Sequence, residues 1–402
     1  MATIIPFKAV RPTRDKANLV ASRSYLTYSD ETINEKLDHN PYTFLHIINP
    51  DYNHPKKATG IAKFKLVKKR FNQFINQGIL NKDTSENYYI YQKSDQLNTF
   101  TGIIGAASIE DYLSNKIKKH EQTIKKREEM FCNYLDTTGF NADPVLLAHE
   151  PNESIKKILK KYTKNRSEYE FTTTNKSMHK LWLVDNIIDI EIIKNAFKDI
   201  KHIYIADGHH RCASSALLYK NKKSELSSYF MSYLIDESQL KILNFNRLVK
   251  HLNGLTAEEL VEGIKKRYTI IPKNEITYSP HLNNEISMYL NKKWYSLTAK
   301  EKEYISIAKS LDPSILSDDI LAPLLNIIDE RTNKDISFLN GTIPLTTIKN
   351  QIDTGEYAVA FILKSIPVSL IKQVADNNET MPPKSTYVEP KLRSGLTIYP
   401  IE

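Results

Sequence analysis

Apolar and polar positions follow two rhythms along this 402-residue chain. Between residues 60 and 80, Phe64, Val67, Phe71, Phe74, Ile75 and Ile79 recur at helical spacing with lysines between them, which predicts an amphipathic helix. Ile190, Ile193, Phe197 and Ile200 repeat that spacing and predict a second helix over residues 189–200. Further helices are expected at 31–39, stopped by Asn40-Pro41, at 124–135 and at 153–162, with a single turn at 109–112. β-branched, aromatic or alternating runs predict strands at 3–10, 42–49, 87–92, 100–107, 144–148, 228–235 and 240–249. Residues 169–174 and 180–184 read as a hairpin around the turn at 175–177.

Beyond residue 253 the pattern restarts. Thr256 and Glu259 form a capping-box pair for a helix over 258–268, followed by strands at 285–289 and 293–297. An apolar helical region spans 311–328, and strand 336–339, helix 346–352 and strand 357–363 make a βαβ-like unit. The expected organisation is an N-terminal and catalytic core at 1–253, an α/β subdomain at 254–375 and a basic terminal segment at 376–402. Strands and helices mixed in this way give an α+β (mixed α/β) fold class. Pro382, Pro383 and Pro390 oppose regular structure in the last segment, but Met381, Tyr387, Val388, Leu392, Leu396 and Ile398 supply apolar anchors that a disordered tail would lack.

Composition narrows the class. The chain is 41% hydrophobic and 26% charged, the balance of a globular protein. Its net charge of +9 is spread mostly over lysines on expected helix faces, which suits small anionic substrates and makes nucleic acid an unlikely partner. Two cysteines are too few for a disulfide framework or a thiol metal site. No secretory signal and no apolar run long enough for a membrane span is present, so a cytoplasmic location without membrane association is expected.

Candidate chemistry concentrates at residues 202–218. Ile203 and Ile205 mark a short strand, Asp207-Gly208 a turn, and His209, His210 and Arg211 the first turn of a helix continued by small residues. The first N–H groups of a helix lack intrahelical partners and its dipole favours anions, so this junction suits phosphate. Arg211 adds a planar fork. Adjacent histidines point about 100° apart on a helix, which argues against one shared metal ion. At 118–121, Lys118, Lys119, His120 and Glu121 read on composition as a solvated helix start; the functional reading makes Glu121 a base and His120 or a lysine an anion contact. Lys384, Ser385, Thr386, Lys391, Arg393 and Ser394 form a dense set of anion donors near the terminus.

Four stretches carry a resemblance: residues 40–46 (Asn-Pro-Tyr-Thr-Phe-Leu-His), 117–123 (Ile-Lys-Lys-His-Glu-Gln-Thr), 206–211 (Ala-Asp-Gly-His-His-Arg), and 381–386 with 389–395. Through them the chain resembles a bacterial family labelled a domain of unknown function and related to the free-serine kinases of the ParB/sulfiredoxin-like superfamily. The resemblance implies a ParB/sulfiredoxin-like catalytic core with an additional α/β C-terminal subdomain. It implies phosphorylation of free L-serine to O-phospho-L-serine, with ATP, ADP or pyrophosphate as donor and Mg²⁺ as counter-ion. Gly208, His209, His210 and Arg211 would seat donor phosphates, Asp207 would hold Mg²⁺ or orient a histidine, and Glu121 (or, second, Asp207) would serve as base. Lys118 and His120 would contact anions, while Lys384, Ser385, Thr386, Lys391 and Arg393 would fold back onto donor phosphate or the serine carboxylate. A homodimer is compatible with this reading. Its rivals are a nucleotide- or DNA-binding ParB-like protein and a metal-dependent phosphohydrolase.

Overall fold

A computed structural model describes residues 2–24, 28–301 and 303–402. The chain is mixed α/β with several sheets, and its contacts divide it into two units. The first comprises Met1–Lys119, Thr123–Leu240 and Pro390–Glu402; the second comprises His120–Gln122 and Lys241–Glu389.

The first unit is built on a nine-stranded mixed sheet. From one edge its strands run Ile117–Lys118, Ile203–Asp207, Val145–His149, Tyr229–Asp236, Thr99–Ser108, Tyr88–Ser94, Met178–Val184 and Tyr169–Thr172, and Ile4–Ile5 also pairs with Thr99–Ser108. Only the pairings of Ile203–Asp207 with Ile117–Lys118 and of Tyr229–Asp236 with Val145–His149 are parallel. Ile103, Leu147, Leu234 and Ile205 belong to an apolar core with Ile155 and Ile158, Ile193 and Phe197, and Cys212 and Ala216 of the helices Glu153–Thr163, Ile187–Asp199 and His209–Lys222. Side chains alternate across a strand. The alternate positions Tyr89, Tyr91 and Lys93, with Tyr233 edge-on to Tyr91, therefore give the opposite face an aromatic and polar lining. Val67, Phe71 and Phe74 of helix Gly60–Asn76 build a second cluster with Val10, Phe140 and Ile398.

The second unit carries a six-stranded antiparallel sheet in the order Tyr268–Lys273, Lys293–Ala299, Glu285–Leu290, Val359–Ile362, Phe245–Val249 and Ile336–Asn340. The βαβ-like unit expected over 336–363 is split, because Phe245–Val249 lies between its two strands and opposes both. Thr256 and Glu259 close the capping box of helix Ala257–Lys265.

Several local expectations change. Residues 42–49 do not form a strand: Leu45–Ile48 is a short helix, set up by the Asn40 side chain accepting from Tyr42 N–H. Phe44 and Ile47 bury themselves against helix Gly60–Asn76, and a short apolar run fits a buried helix as well as a strand. Residues 117–118 form an edge strand rather than the start of a solvated helix, and Lys118 and His120 are buried. The run 240–249 breaks into Lys241–Leu243 and Phe245–Val249, each with a different partner. Tyr268–Lys273 is a strand that the sequence pattern does not predict, and the apolar region at 311–328 holds the helix Asp312–Leu316 and a wide turn at Ser317–Leu321. The proline-bearing terminus is anchored, with Met381, Val388, Leu396 and Ile398 buried.

Candidate phosphate-binding site at the Gly208 turn

Strand Ile203–Asp207 ends in a register shift against Val145–His149, between Ile205 and Asp207. Gly208 follows with φ 104° and ψ 28°, backbone that favours glycine, and helix His209–Lys222 begins at once without a side-chain cap at its start. Glycine is needed for a second reason. A Cβ here would lie 2.9 Å from Arg211 Nε and 3.0 Å from its Cζ. The Arg211 guanidinium thus lies folded over the turn. Its Nη2 donates to Asp207 Oδ2 at 3.0 Å, and its Nη1 donates to the Pro144 carbonyl.

The terminal segment reaches the same place. Lys391 Nζ lies 3.1 Å from Asp207 Oδ1, so two cations grip the two carboxylate oxygens. Burial opposes the charge on Asp207, but Lys391 and Arg211 outweigh it and hold the carboxyl below its ordinary range. Asp207 is therefore an ionised orienting group and a poor proton acceptor near neutral pH. Its oxygens already face cations, and no group of three or more His, Cys, Asp or Glu side chains among the described residues is gathered to hold a metal ion. With both oxygens paired to Arg211 and Lys391, Asp207 as it stands is a poor ligand for a resident divalent cation.

The remaining candidates separate by unit. His209 is buried at the helix start, and Cys212 is buried in the sheet core with its thiol pushed up by burial, an inert packing group. Lys118 sits on the edge strand directly opposite Tyr204, one residue before the end of the motif strand's regular pairing at Ile205. Lys391 and Arg393 belong to the first unit; Arg393 Nη2 donates to Asn175 Oδ1 at 3.2 Å and Nε to His179 Nε2 at 3.4 Å. His120 and Glu121 belong to the second unit, where the His120 carbonyl accepts from Met381 N–H at 3.0 Å. Lys384, Ser385 and Thr386 lie there too: Lys384 Nζ stands 5.2 Å from the Phe245 ring centroid, and Ser385 Oγ donates to the Pro382 carbonyl at 2.7 Å.

Sequence reasoning missed the Pro144 carbonyl, because backbone acceptors leave no trace in residue identity. It also missed Asn175 and His179, read only as part of a hairpin. No helix among the described residues is long and apolar enough to cross a membrane.

Comparison with solved structures finds a free serine kinase mutant in complex with AMP at 14% identity and TM-score 0.41, covering 74% of this chain and 91% of that one. Another free serine kinase mutant, in complex with ADP, matches at 14% identity and TM-score 0.41, covering 75% and 94%. A conserved hypothetical protein from Pyrococcus furiosus matches at 14% identity and TM-score 0.39, covering 74% and 94%. No curated protein matches the chain. A family profile matches residues 4–314, well over half of the sequence, and the chain belongs to that family, described as "Protein of unknown function (DUF1015)".

Proposed function

We propose that this protein is a small-molecule phosphotransferase that transfers a phosphoryl group from a nucleotide or pyrophosphate to the hydroxyl of free L-serine. The observation that carries the reading is the left-handed Gly208 turn at the head of a 14-residue helix, with Arg211 laid over it and Lys391 on the same carboxylate. Phosphoryl transfer asks a protein chiefly for positioning and charge neutralisation, and this turn gathers a helix N-terminus and two cations at one point. The acceptor's identity rests on the sequence resemblance, which also implies the ParB/sulfiredoxin-like core and a cytoplasmic enzyme.

In this reading Gly208, His209, His210 and Arg211 seat the donor phosphates, and Asp207 keeps the Arg211 fork in place. Glu121, the first choice from the sequence, is the proposed base that takes the serine hydroxyl proton, and the two cations on Asp207 weigh against that second choice. Lys118 and His120 contact anionic oxygens; Lys384, Ser385, Thr386, Lys391 and Arg393 serve the donor phosphate or the serine carboxylate. The test is a matrix of purified protein with L-serine and other hydroxy amino acids against ATP, ADP and pyrophosphate, with and without Mg²⁺. O-phospho-L-serine is expected from at least one donor; none from any of them defeats the reading.

A further inference from the structure

His179 lies on Met178–Val184 directly opposite Lys93 on one neighbouring strand and Phe171 on the other. Lys93 in turn opposes Phe100. Directly opposed residues share a face of the sheet, so Phe171, His179, Lys93 and Phe100 form one row across four strands. Phe171 stacks on the imidazole with ring centroids 5.3 Å apart and planes at 28°. Tyr91, two residues before Lys93 on the same face, holds His179 Nδ1 at 2.7 Å from its hydroxyl.

Arg393 is laid onto this row. Its Nε donates to His179 Nε2 and its Nη2 to the Asn175 amide oxygen. An imidazole that accepts at Nε2 keeps its proton on Nδ1 and is neutral. Burial, reinforced by Arg393, Lys93 and Arg23, fixes that state by pushing the His179 pKa down to about 3. Burial lowers the Arg393 pKa and Arg23 pushes the same way, while Tyr28 and Tyr91 oppose them. A half-buried guanidinium here hydrogen-bonds to a neutral imidazole, a neutral amide and the Tyr28 side chain, and the antiparallel bridge between Ser22 and Ser394 sets Arg23 beside it. Gathering like charges away from water is unfavourable unless an anion joins them. The remaining face of the guanidinium is a planar fork suited to two oxygens of one anion.

We propose that Arg393, Arg23 and Asn175, backed by neutral His179, form a second oxyanion seat, distinct from the Gly208 turn, for a carboxylate or phosphate group. Lys391 and Arg393 stand only two residues apart, so a single short stretch of chain touches both Asp207 and this seat. If the phosphotransfer reading holds, and this identification rests on it, the seat takes the carboxylate of the amino-acid acceptor while the turn takes donor phosphate.

The test is isothermal titration of the full chain with inorganic phosphate and, separately, with acetate, for the wild type and for Arg393→Gln, Arg23→Gln and, as a control outside either site, Thr256→Ala. The expected result is that at least one probe binds about tenfold more weakly to Arg393→Gln while Thr256→Ala holds it within about twofold of wild type. Acetate showing the effect alone identifies a carboxylate seat; phosphate alone identifies a phosphate seat. If Arg393→Gln fails to fold by circular dichroism, Arg23→Gln carries the same comparison. No binding of either probe by wild type, binding unchanged in both arginine variants of the seat, or equal loss in all three variants overturns the proposal. These binding results are independent of phosphoserine formation, so the seat and the activity can fail separately.

Discussion

Replacing Gly208 by alanine tests how the turn and Arg211 depend on one another. The φ of 104° places an L-residue in sparsely populated backbone, at a cost of about 1–2 kcal/mol. The new Cβ would stand 2.9 Å from Arg211 Nε, so the guanidinium must leave Asp207 and the Pro144 carbonyl. The Asp207 and Arg211 side chains are 38% and 30% exposed, and an ion pair so open to water contributes at most about 1 kcal/mol. Together the loss is about 1–3 kcal/mol, or roughly 2–12 °C in the melting of a unit this size. Gly78→Ala is the control: it also has positive φ, 67°, yet nothing lies within 4 Å of its would-be Cβ. It should cost only the backbone strain, about 1 kcal/mol, and leave phosphate binding alone. Urea unfolding with phosphate titration on both variants measures the two effects separately. Equal destabilisation by the two substitutions, with phosphate affinity unchanged in both, would refute the account of the turn.

Other consequences follow from individual residues. Burial raises the Asp312 pKa to about 6, although the Asn284 N–H bond and Lys364 oppose it. A folded pKa above the unfolded value of 3.8 means the native state is favoured at low pH and loses that advantage as pH rises through about 6. Asp312→Asn should therefore unfold at higher urea than wild type at pH 8, by at most about 3 kcal/mol, and nearly match it at pH 4; a pH-independent difference contradicts this. Thr256→Ala removes the capping box of Ala257–Lys265 and should cost about 1 kcal/mol in urea unfolding, with phosphate binding unaffected. Lys391→Gln removes one of the two cations on Asp207, so the Asp207 carboxyl should titrate at higher pH in carbon-detected NMR, while an unmoved titration would deny Lys391 that influence.

Much of the architecture around the turn was legible because its periods are long and regular. Helix Gly60–Asn76 and helix Ile187–Asp199 follow their apolar spacing, and strand Ile203–Asp207 passes into helix His209–Lys222 where Asp207-Gly208 interrupts the pattern. The short apolar run at residues 42–49 failed as a strand because five consecutive buried residues carry no decisive period and local side-chain bonds set the turn. Lys118 misled for a different reason: a lysine next to others reads as solvated, but pairing with Tyr204 at a sheet edge buries it. Within the candidate site, residue types pointed to Asp207, Gly208 and Arg211. They could not reveal that Lys391, among several terminal cations, is the one on Asp207, or that the Pro144 carbonyl fixes the guanidinium, since both are products of the chain's long-range return. The apposition of His179 with Lys93 depends on strand register, which composition does not encode.

The claim that the Gly208 turn holds donor phosphate is tested most directly by calorimetric titration of ADP and pyrophosphate into wild type and Arg211→Ala, with circular dichroism as the check on folding. The account predicts an unchanged fold and at least about tenfold weaker binding in the variant, the scale of one charge-assisted bidentate contact. Equal affinity in the two proteins would contradict it.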